Sequence, residues 1–249
     1  MSAERLVFIT GASSGIGWAL ARACLERGWS VALVARRADA LRAQLQQQAW
    51  PAGRWQVWAA DVTDAAAMQA VANECMARLG LPDTVIANAG ISLGVDTAEA
   101  EDLPVFDAVM RTNVLGVVHT FHPFIAAMRA RRSGRLVGIA SVAGIRGLPG
   151  HGAYCASKAA VTSYCESLRG ELGPHGVGVS VIAPGYVATP LTARNRYPMP
   201  FLMQPEAFAR QALRAIEAGV SYRVIPWPMA VVAGLLRVLP DTWLDRLLR

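Results

Sequence analysis

The segment Thr10-Gly11-Ala12-Ser13-Ser14-Gly15-Ile16-Gly17 decides the fold. It lies between a short apolar run, Arg5 to Ile9, and a stretch of helical periodicity from Ile16 to Arg27. Glycines in such a turn let the backbone approach a pyrophosphate, and the N-terminus of the following helix supplies N–H donors and a positive dipole. The alternative is a glycine-rich turn without a ligand, but the strand–turn–helix context favours a dinucleotide site.

Strands and helices alternate along the rest of the chain. Further apolar strands are predicted at 31–34, 56–59, 83–87, 135–139, 178–182 and 222–225, and helices at 38–48, 64–79, 105–131, 153–172 and 205–217. This pattern predicts an α/β fold with a single-domain, doubly wound (Rossmann-type) parallel sheet of about seven strands and helices on both faces. Residues 1–226 would form the dinucleotide-binding and catalytic part. Residues 227–249 would form a hydrophobic helical tail of the same domain, broken at Pro240.

The composition excludes several classes of protein. With 53% hydrophobic and 17% charged residues, the chain of 249 residues buries enough apolar surface to offset its ordering entropy, which excludes a disordered protein. The net charge of +6 comes from scattered arginines that do not alternate with aromatic residues, so no nucleic-acid partner is predicted. The four cysteines form no C-x-x-C pair, and neither a signal peptide nor an apolar run of about 20 residues is visible. A cytoplasmic location is therefore expected.

Two arginines follow the second predicted strand, in the segment Ala35-Arg36-Arg37. An acidic residue at this place binds the ribose hydroxyls of NAD, whereas guanidinium groups bind the 2′-phosphate of NADP. The sequence therefore predicts NADP(H) in preference to NAD(H), with Ser13 or Ser14 as a further hydroxyl donor. The alternative is that both arginines are merely exposed at the start of a helix. Asp61 is a candidate acceptor for the adenine amino group, unless it is only a turn residue before the next helix.

Tyr154 and Lys158 lie four residues apart at the start of a predicted helix, so they share one face. A free tyrosine has a pKa near ~10 and is a poor acid–base group at neutral pH, but a nearby ammonium stabilises the phenolate. The pair can thus form a usable proton donor. Lys158 is the only lysine in a chain that otherwise uses arginine, which indicates that a compact ammonium is required there.

Two further polar residues are candidates for the site that contains Tyr154 and Lys158. Ser141 follows the fifth strand, and Asn113 lies within the long predicted helix, where an amide is a poor helix former. Together the motifs resemble the short-chain dehydrogenase/reductase family over residues 5 to about 226. The resemblance rests on Thr10-Gly11-x-x-x-Gly15-x-Gly17, Asp61, Asn88-Ala89-Gly90, Asn113, Ser141, Tyr154-x-x-x-Lys158 and Pro184-Gly185 followed by Thr189.

The resemblance implies a role for each residue. Tyr154 is the general acid in reduction and the base in oxidation, while Lys158 lowers its pKa and binds the nicotinamide ribose. Ser141 orients the substrate carbonyl, and Asn113 holds a water that links Lys158 to a proton relay. The residues implied in cofactor binding are Gly11, Ser13, Ser14, Gly15, Ile16, Gly17, Arg36, Arg37, Asp61, Val62, Asn88, Ala89, Gly90, Tyr154, Lys158, Pro184, Gly185, Val187 and Thr189. The implied activity is NADP-dependent hydride transfer between the nicotinamide and a carbonyl or secondary alcohol.

The loop after Pro184 is rich in apolar residues, among them Leu191, Tyr197, Phe201 and Leu202, which favours a small apolar substrate unless they pack on the domain itself. Candidates for binding a substrate carboxylate or phosphate are Arg146, Arg194, Arg196 and His151, although lone basic loop residues are commonly just solvated. No histidine has a spacing typical of metal ligands, so no metal is predicted.

Three questions stay open at this point. The segment after the last strand lacks the glycine-rich end of many family members, which weakens the alternative of a ketoacyl carrier-protein reductase. A dinucleotide-sensing regulatory protein without turnover is another alternative. Long helices pair subunits in the family, so a homodimer or homotetramer is expected. The tail is predicted to cover the cleft or pair subunits, with contact to a membrane surface as the less favoured alternative.

Overall fold

The computed structural model describes residues 5–51, 53–195 and 198–247. In this part of the chain, seven parallel strands form one sheet in the order β3-β2-β1-β4-β5-β6-β7. The strands are β1 (Leu6–Thr10), β2 (Ser30–Ala35), β3 (Trp55–Ala59), β4 (Thr84–Ala87), β5 (Arg135–Ile139), β6 (Gly178–Pro184) and β7 (Tyr222–Ile225). Most are buried on both faces, and this is why they appear in the sequence as nearly continuous apolar runs.

Helices cover both faces of the sheet. They are α1 (Gly15–Leu25), α2 (Ala38–Gln47), α3 (Ala65–Leu79), α4 (Leu103–Met110), α5 (Gly116–Arg131), α6 (Gly152–Leu172), α7 (Pro205–Glu217), α8 (Trp227–Val238) and α9 (Asp241–Leu247). One buried core joins the sheet to α1, α2 and α7, and a second joins it to α3, α5 and α6. Successive residues of β1 alternate between the two cores, as a strand between two layers requires. The Rossmann-type fold with seven strands is therefore confirmed.

One predicted element is different in the structure. The expected helix 105–131 is divided into α4 and α5 by a π-helical turn at Arg111–Leu115. At the start of α5, Gly116 packs so closely on Val62 that an added Cβ would lie 2.7 Å from Val62 Cγ2. π-Helical turns are rare and frequently occur at functional sites, and this one contains Asn113.

The tail forms two helices, α8 and α9, separated at Pro240 as the sequence predicts. Met229 and Ala233 of α8 are buried, and Met229 belongs to the core beneath α3, α5 and α6. No helix among the described residues is long and apolar enough to cross a membrane. The assignment of 1–226 and 227–249 to one domain stays a prediction.

The sheet order places a ligand crevice at a defined point. The chain runs from β1 outward to β3 on one side and from β4 to β7 on the other, so the order reverses between β1 and β4. In open α/β sheets the ligand binds beyond the carboxyl ends of the strands at such a reversal.

Candidate active site

A cleft of about 450 Å³ lies beyond the carboxyl ends of β1, β2, β4, β5 and β6. Every residue that the sequence predicts for catalysis or cofactor binding lines this cleft, with the exception of Gly17 and Asn113. Neighbouring residues that sequence reasoning missed also line it, including Ile91, Thr112, Pro190 and Thr192. These carry no motif of their own, and only their position next to motif residues could have identified them.

The glycine turn between β1 and α1 is closely packed. Gly11 has a φ of +66°, and a Cβ at this position would lie 2.7 Å from Ala89 Cα. A Cβ on Gly17 would overlap the Gly11 carbonyl oxygen and the Asn88 amide. Gly17 therefore lets α1 pack against the turn and does not itself face the cleft. The amide Nδ2 of Asn88 donates to the carbonyl oxygens of Thr10, at 2.9 Å, and Gly11, at 3.2 Å, which ties the end of β4 to the turn.

The N-terminus of α1 is open to an anion. Its N-cap residue is Ser14, whose side chain makes no capping hydrogen bond, and the first turn contains no acidic residue. The backbone N–H groups and the helix dipole at this end are therefore not neutralised by the protein. Ser13, Ser14 and Gly15 line the cleft at this point, so the arrangement fits a pyrophosphate.

Directly after the carboxyl end of β2, Arg36 and Arg37 are exposed and line the cleft. Arg36 Nη1 lies 3.6 Å from Asp61 Oδ2, with side chains that are 73% and 40% exposed. Exposed ion pairs of this kind contribute about 0–1 kcal/mol, so Arg36 is available to another anion. No carboxylate occurs at 35–37, next to the arginines.

Asp61 forms a turn as well as lining the cleft. Its Oδ1 accepts hydrogen bonds from the backbone N and the Oγ1 of Thr63, both at 2.9 Å. The backbone hydrogen bond from Thr63 is the main reason why the pKa of Asp61 is lowered; the Thr63 hydroxyl and Arg36 add to this effect. The cap of α3 is Asp64, which accepts from the backbone N of Ala67. The turn alternative for Asp61 is thus present in the structure, and its adenine contact stays a prediction.

Tyr154 and Lys158 lie one turn apart on α6 and both line the cleft. The ammonium of Lys158 is 5.7 Å from the centroid of the Tyr154 ring. It is buried and donates a hydrogen bond of 2.9 Å to the carbonyl oxygen of Ile139, at the end of β5. Burial lowers the pKa of Lys158 to about 8. A cation at this distance favours the phenolate form of the tyrosine.

Ser141 follows β5 and caps a short 3₁₀ turn, Val142–Gly144. Its Oγ accepts a hydrogen bond of 3.1 Å from the backbone N of Ala143, so the hydroxyl hydrogen can be donated elsewhere. The turn packs directly on α6, because a Cβ on Gly144 would lie 2.7 Å from the backbone carbon of Lys158. The position of Ser141 is therefore fixed relative to the helix that carries Tyr154.

Asn113 lies behind the wall of the cleft, buried in the π-helical turn. Its Oδ1 accepts from the backbone N of Ile91 at 2.8 Å, and its Nδ2 donates to Ile91 O at 2.9 Å and Ser157 Oγ at 3.0 Å. Ser157 Oγ in turn donates to the carbonyl oxygen of Tyr154 at 2.7 Å. Both amide hydrogens of Asn113 are thus used to connect one wall of the cleft to α6. Its side chain thereby ties Ile91 to α6, and the water relay to Lys158 that the family resemblance implies for Asn113 stays a prediction.

The predicted substrate loop contributes fewer residues than expected. Leu191 lines the cleft, whereas Phe201 and Leu202 are exposed. Arg196 and Tyr197 lie outside the described residues. Arg146 is occupied by the tail, because its Nη2 donates to Leu239 O at 3.1 Å and to Asp241 Oδ1. Within residues 5–51, 53–195 and 198–247, no group of His, Cys, Asp or Glu could hold a metal ion.

Comparisons with known proteins place the chain in a family. The family described as short chain dehydrogenase matches residues 5–199. An uncharacterised oxidoreductase of Myxococcus xanthus is 39% identical over 244 residues, which is 97% of this chain and 95% of that protein. A cis-4-hydroxycyclohexanecarboxylate dehydrogenase of Sinomonas cyclohexanicum is 31% identical over 249 residues, 95% of this chain and 98% of that protein.

The structure of a short chain dehydrogenase/reductase from Burkholderia phymatum in complex with NAD matches with a TM-score of 0.83. It is 25% identical, and the match covers 93% of this chain and 92% of that chain. The chain therefore belongs to the short-chain dehydrogenase/reductase family of oxidoreductases, which bind a nicotinamide dinucleotide and act on CH–OH or C=O groups of small substrates.

Proposed function

We propose that the protein is an NADP-dependent oxidoreductase that transfers a hydride between the nicotinamide and the carbonyl or secondary alcohol of an apolar substrate. The observation that carries this proposal is the buried ammonium of Lys158, 5.7 Å from the ring centroid of Tyr154 on the wall of the cleft. Burying an ammonium without a carboxylate is costly, so the fold gains nothing in stability from it. Its benefit is chemical, because it favours the ionised form of Tyr154.

The residues present fit a dinucleotide. The open N-terminus of α1 suits the pyrophosphate, and Asn88, Gly90 and Lys158 suit the ribose next to the nicotinamide. Val187 and Thr189, which also line the cleft, are proposed to bind the carboxamide. When bound, the nicotinamide supplies or accepts the hydride, and the protein supplies orientation and electrostatics.

In the direction of reduction, the Tyr154 hydroxyl donates a proton to the substrate oxygen, and in oxidation the phenolate accepts it back. The Ser141 hydroxyl donates a hydrogen bond to the same oxygen, so both groups act most strongly when negative charge develops there. Lys158 is charged below its pKa of about 8 and stabilises the phenolate. Asn113 is a positioning residue through Ser157, and the water that the family resemblance assigns to it stays a prediction.

The preference for NADP is supported by charge. Arg36 and Arg37 place two guanidinium groups at the adenosine end of the cleft, where a 2′-phosphate would lie. The ion pair of Arg36 with Asp61 is weak enough to be exchanged for that phosphate. An apolar substrate is supported by Ile91 and Leu191 on the cleft wall. A homodimer or homotetramer and a cytoplasmic location stay predictions.

A fluorescence titration of the purified protein with NADPH and with NADH tests the proposal, with the seven tryptophans as the signal. We expect tighter binding of NADPH, and the Arg36→Ala/Arg37→Ala variant should lose at least about tenfold in NADPH affinity while NADH affinity is kept. Arg78→Ala is the matched control, since Arg78 is an exposed arginine on α3 that does not line the cleft. Tighter binding of NADH would refute the NADP preference, and binding of neither would refute the oxidoreductase proposal.

A further inference from the structure

Helix α8 exposes large apolar side chains along one face. Trp227 is 73% exposed, Val231 54%, Leu235 59% and Val238 78%. The spacing of four, four and three residues places these side chains on one side of a helix. Trp243, 65% exposed on α9, follows them. These five residues are called the apolar stripe below.

Rotation of α8 about its axis cannot bury the stripe, because the opposite face of α8 already packs against the domain. Met229 and Ala233 of α8 are buried against the domain, and Met229 Cγ lies 2.7 Å from the position of a Cβ on Gly185. Arg146, in the loop after β5, binds the junction of α8 and α9 through Leu239 O and Asp241 Oδ1. The tail is therefore held in an orientation that leaves the stripe outward.

We propose that the apolar stripe docks the protein on the surface of a lipid bilayer that contains anionic headgroups. The first argument is the lack of hydrogen-bonding groups. Besides the Trp227 indole, the outward face of α8 has one polar side chain, Arg237, and its other exposed positions include Ala230 and Gly234. Protein interfaces carry about one hydrogen bond per 100–200 Å² of buried surface, whereas acyl chains need none.

The second argument is charge. Arg237 borders the stripe and is exposed, as are Arg223 before α8 and Arg246 on α9. Asp241, an acidic residue at the junction, is paired with Arg146. Asp245, in the sequence of α9, offsets the charge of one of these arginines, so the tail keeps a net positive charge. Anionic headgroups would neutralise that charge, whereas a second copy of the same face would bring net charges of like sign together. The two tryptophans at the ends of the stripe are the residue type that is enriched at membrane–water interfaces.

The geometry requires the tail to lie in the plane of the bilayer surface. No helix in the described part of the chain is long and apolar enough to cross a membrane. Helix α8 has 12 residues, and a spanning helix needs roughly 20. An amphipathic helix instead buries its apolar face at the boundary between headgroups and acyl chains. Because α8 packs on Gly185 in the cleft wall, docking would bring the cleft close to the lipid surface.

Flotation with vesicles tests the proposal. The full chain is mixed with vesicles of phosphatidylcholine alone or of phosphatidylcholine with phosphatidylglycerol, and the floating fraction is measured. We expect binding to the anionic vesicles and at least a tenfold loss of affinity for Leu235→Glu/Val238→Glu. The matched control is Leu103→Glu/Leu115→Glu, which places the same charges on two exposed leucines outside the tail and should float like the wild type. Circular dichroism checks that each variant is folded.

A second measurement locates the contact. Phospholipids with brominated acyl chains should quench the tryptophan fluorescence of the wild type, and Trp227→Phe/Trp243→Phe should lose this quenching. Absence of flotation for the wild type, or equal flotation of the stripe variant, would overturn the proposal. If the wild type does not float and only the stripe variant changes its mass in light scattering, the stripe binds a second copy instead. Vesicle binding requires no cofactor, so these results do not depend on the proposed hydride transfer.

Discussion

The two ends of the cleft are built in different ways. At the end near Tyr154, polar groups are buried and hydrogen-bonded to backbone, as Lys158 is to Ile139 and Asn113 is to Ile91. At the opposite end, which we propose holds the adenosine, the exposed Arg36 lies 3.6 Å from Asp61. A buried polar group that loses its partner costs about 1–3 kcal/mol, whereas an exposed ion pair contributes about 0–1 kcal/mol. Substitutions at the first end should therefore change chemistry and stability, and those at the second end mainly cofactor choice.

The largest effect is expected for Tyr154→Phe, which removes the proposed proton donor and keeps the ring. We expect kcat to fall by roughly 10²–10⁴-fold, while the affinity for NADPH stays within a few-fold of the wild type. Steady-state kinetics with an apolar ketone measure kcat, and fluorescence titration measures the affinity for NADPH. Tyr164→Phe is the matched control, because Tyr164 is on the same helix, stacked on Phe121 and outside the cleft. Unchanged turnover in Tyr154→Phe would refute the role of Tyr154 and favour a dinucleotide sensor.

The next effect is a pH-dependent change in the free energy of unfolding on substitution of Lys158. Its pKa is about 8 in the folded protein against 10.5 for the free side chain, so the folded state binds fewer protons than the unfolded state between these values. The buried ammonium therefore destabilises the cofactor-free protein fully below pH 8, by up to roughly 3 kcal/mol, and this cost disappears as the pH rises toward 10.5. We expect Lys158→Met to be more stable than the wild type near neutral pH and to lose this advantage in alkaline buffer.

Urea unfolding of both proteins across this pH range measures the difference, and the loss of turnover in the variant should accompany its gain in stability. The carbonyl oxygen of Ile139 loses a hydrogen bond in the variant, which reduces the gain. If the difference in the free energy of unfolding between the two proteins is the same at every pH, the ammonium of Lys158 is not the cause of the difference in stability.

A loss of stability, somewhat smaller in size than the gain for Lys158→Met, is expected for Asn113→Ala. The substitution removes the hydrogen bonds to Ile91 and Ser157 and leaves the backbone N–H and C=O of the partly buried Ile91 without these partners. The free energy of unfolding should fall by about 2–3 kcal/mol. Asn73→Ala is the control, because Asn73 is an exposed asparagine on α3 whose Oδ1 accepts a hydrogen bond from Gln69, and its substitution should change stability by less than about 0.5 kcal/mol. If urea unfolding shows the same loss in the free energy of unfolding for Asn113→Ala and Asn73→Ala, the structural role of Asn113 is contradicted.

The parts that could be predicted from sequence are those that local patterns encode. The apolar strands and the turn from Thr10 to Gly17 predict the sheet, and the sheet brings Ser141, Tyr154 and Lys158 to the same edge. The π-helical turn at Arg111–Leu115 could not be predicted, because it is defined by the spacing of backbone hydrogen bonds and its segment contains no proline or glycine that would mark it. The contact of Arg146 with Asp241 joins residues 95 apart, so no local pattern indicates it. Exposure of the stripe depends on which face of α8 meets the domain, and both faces are apolar in sequence.

The smallest effect is expected at the exposed end, for Asp61→Asn. This substitution removes a negative charge beside Arg36 and keeps an oxygen that can accept from Thr63. We expect NADPH to bind up to about fivefold more tightly, because the phosphate no longer competes with Asp61 for Arg36, and NADH to bind as before. The gain should shrink in high salt, since exposed charges are screened. Fluorescence titrations with NADPH and with NADH at two salt concentrations measure the two affinities and their dependence on salt. A gain for NADH as large as that for NADPH would show that the effect does not act through the 2′-phosphate, and a fall in stability above about 1 kcal/mol would show that the ion pair supports the fold.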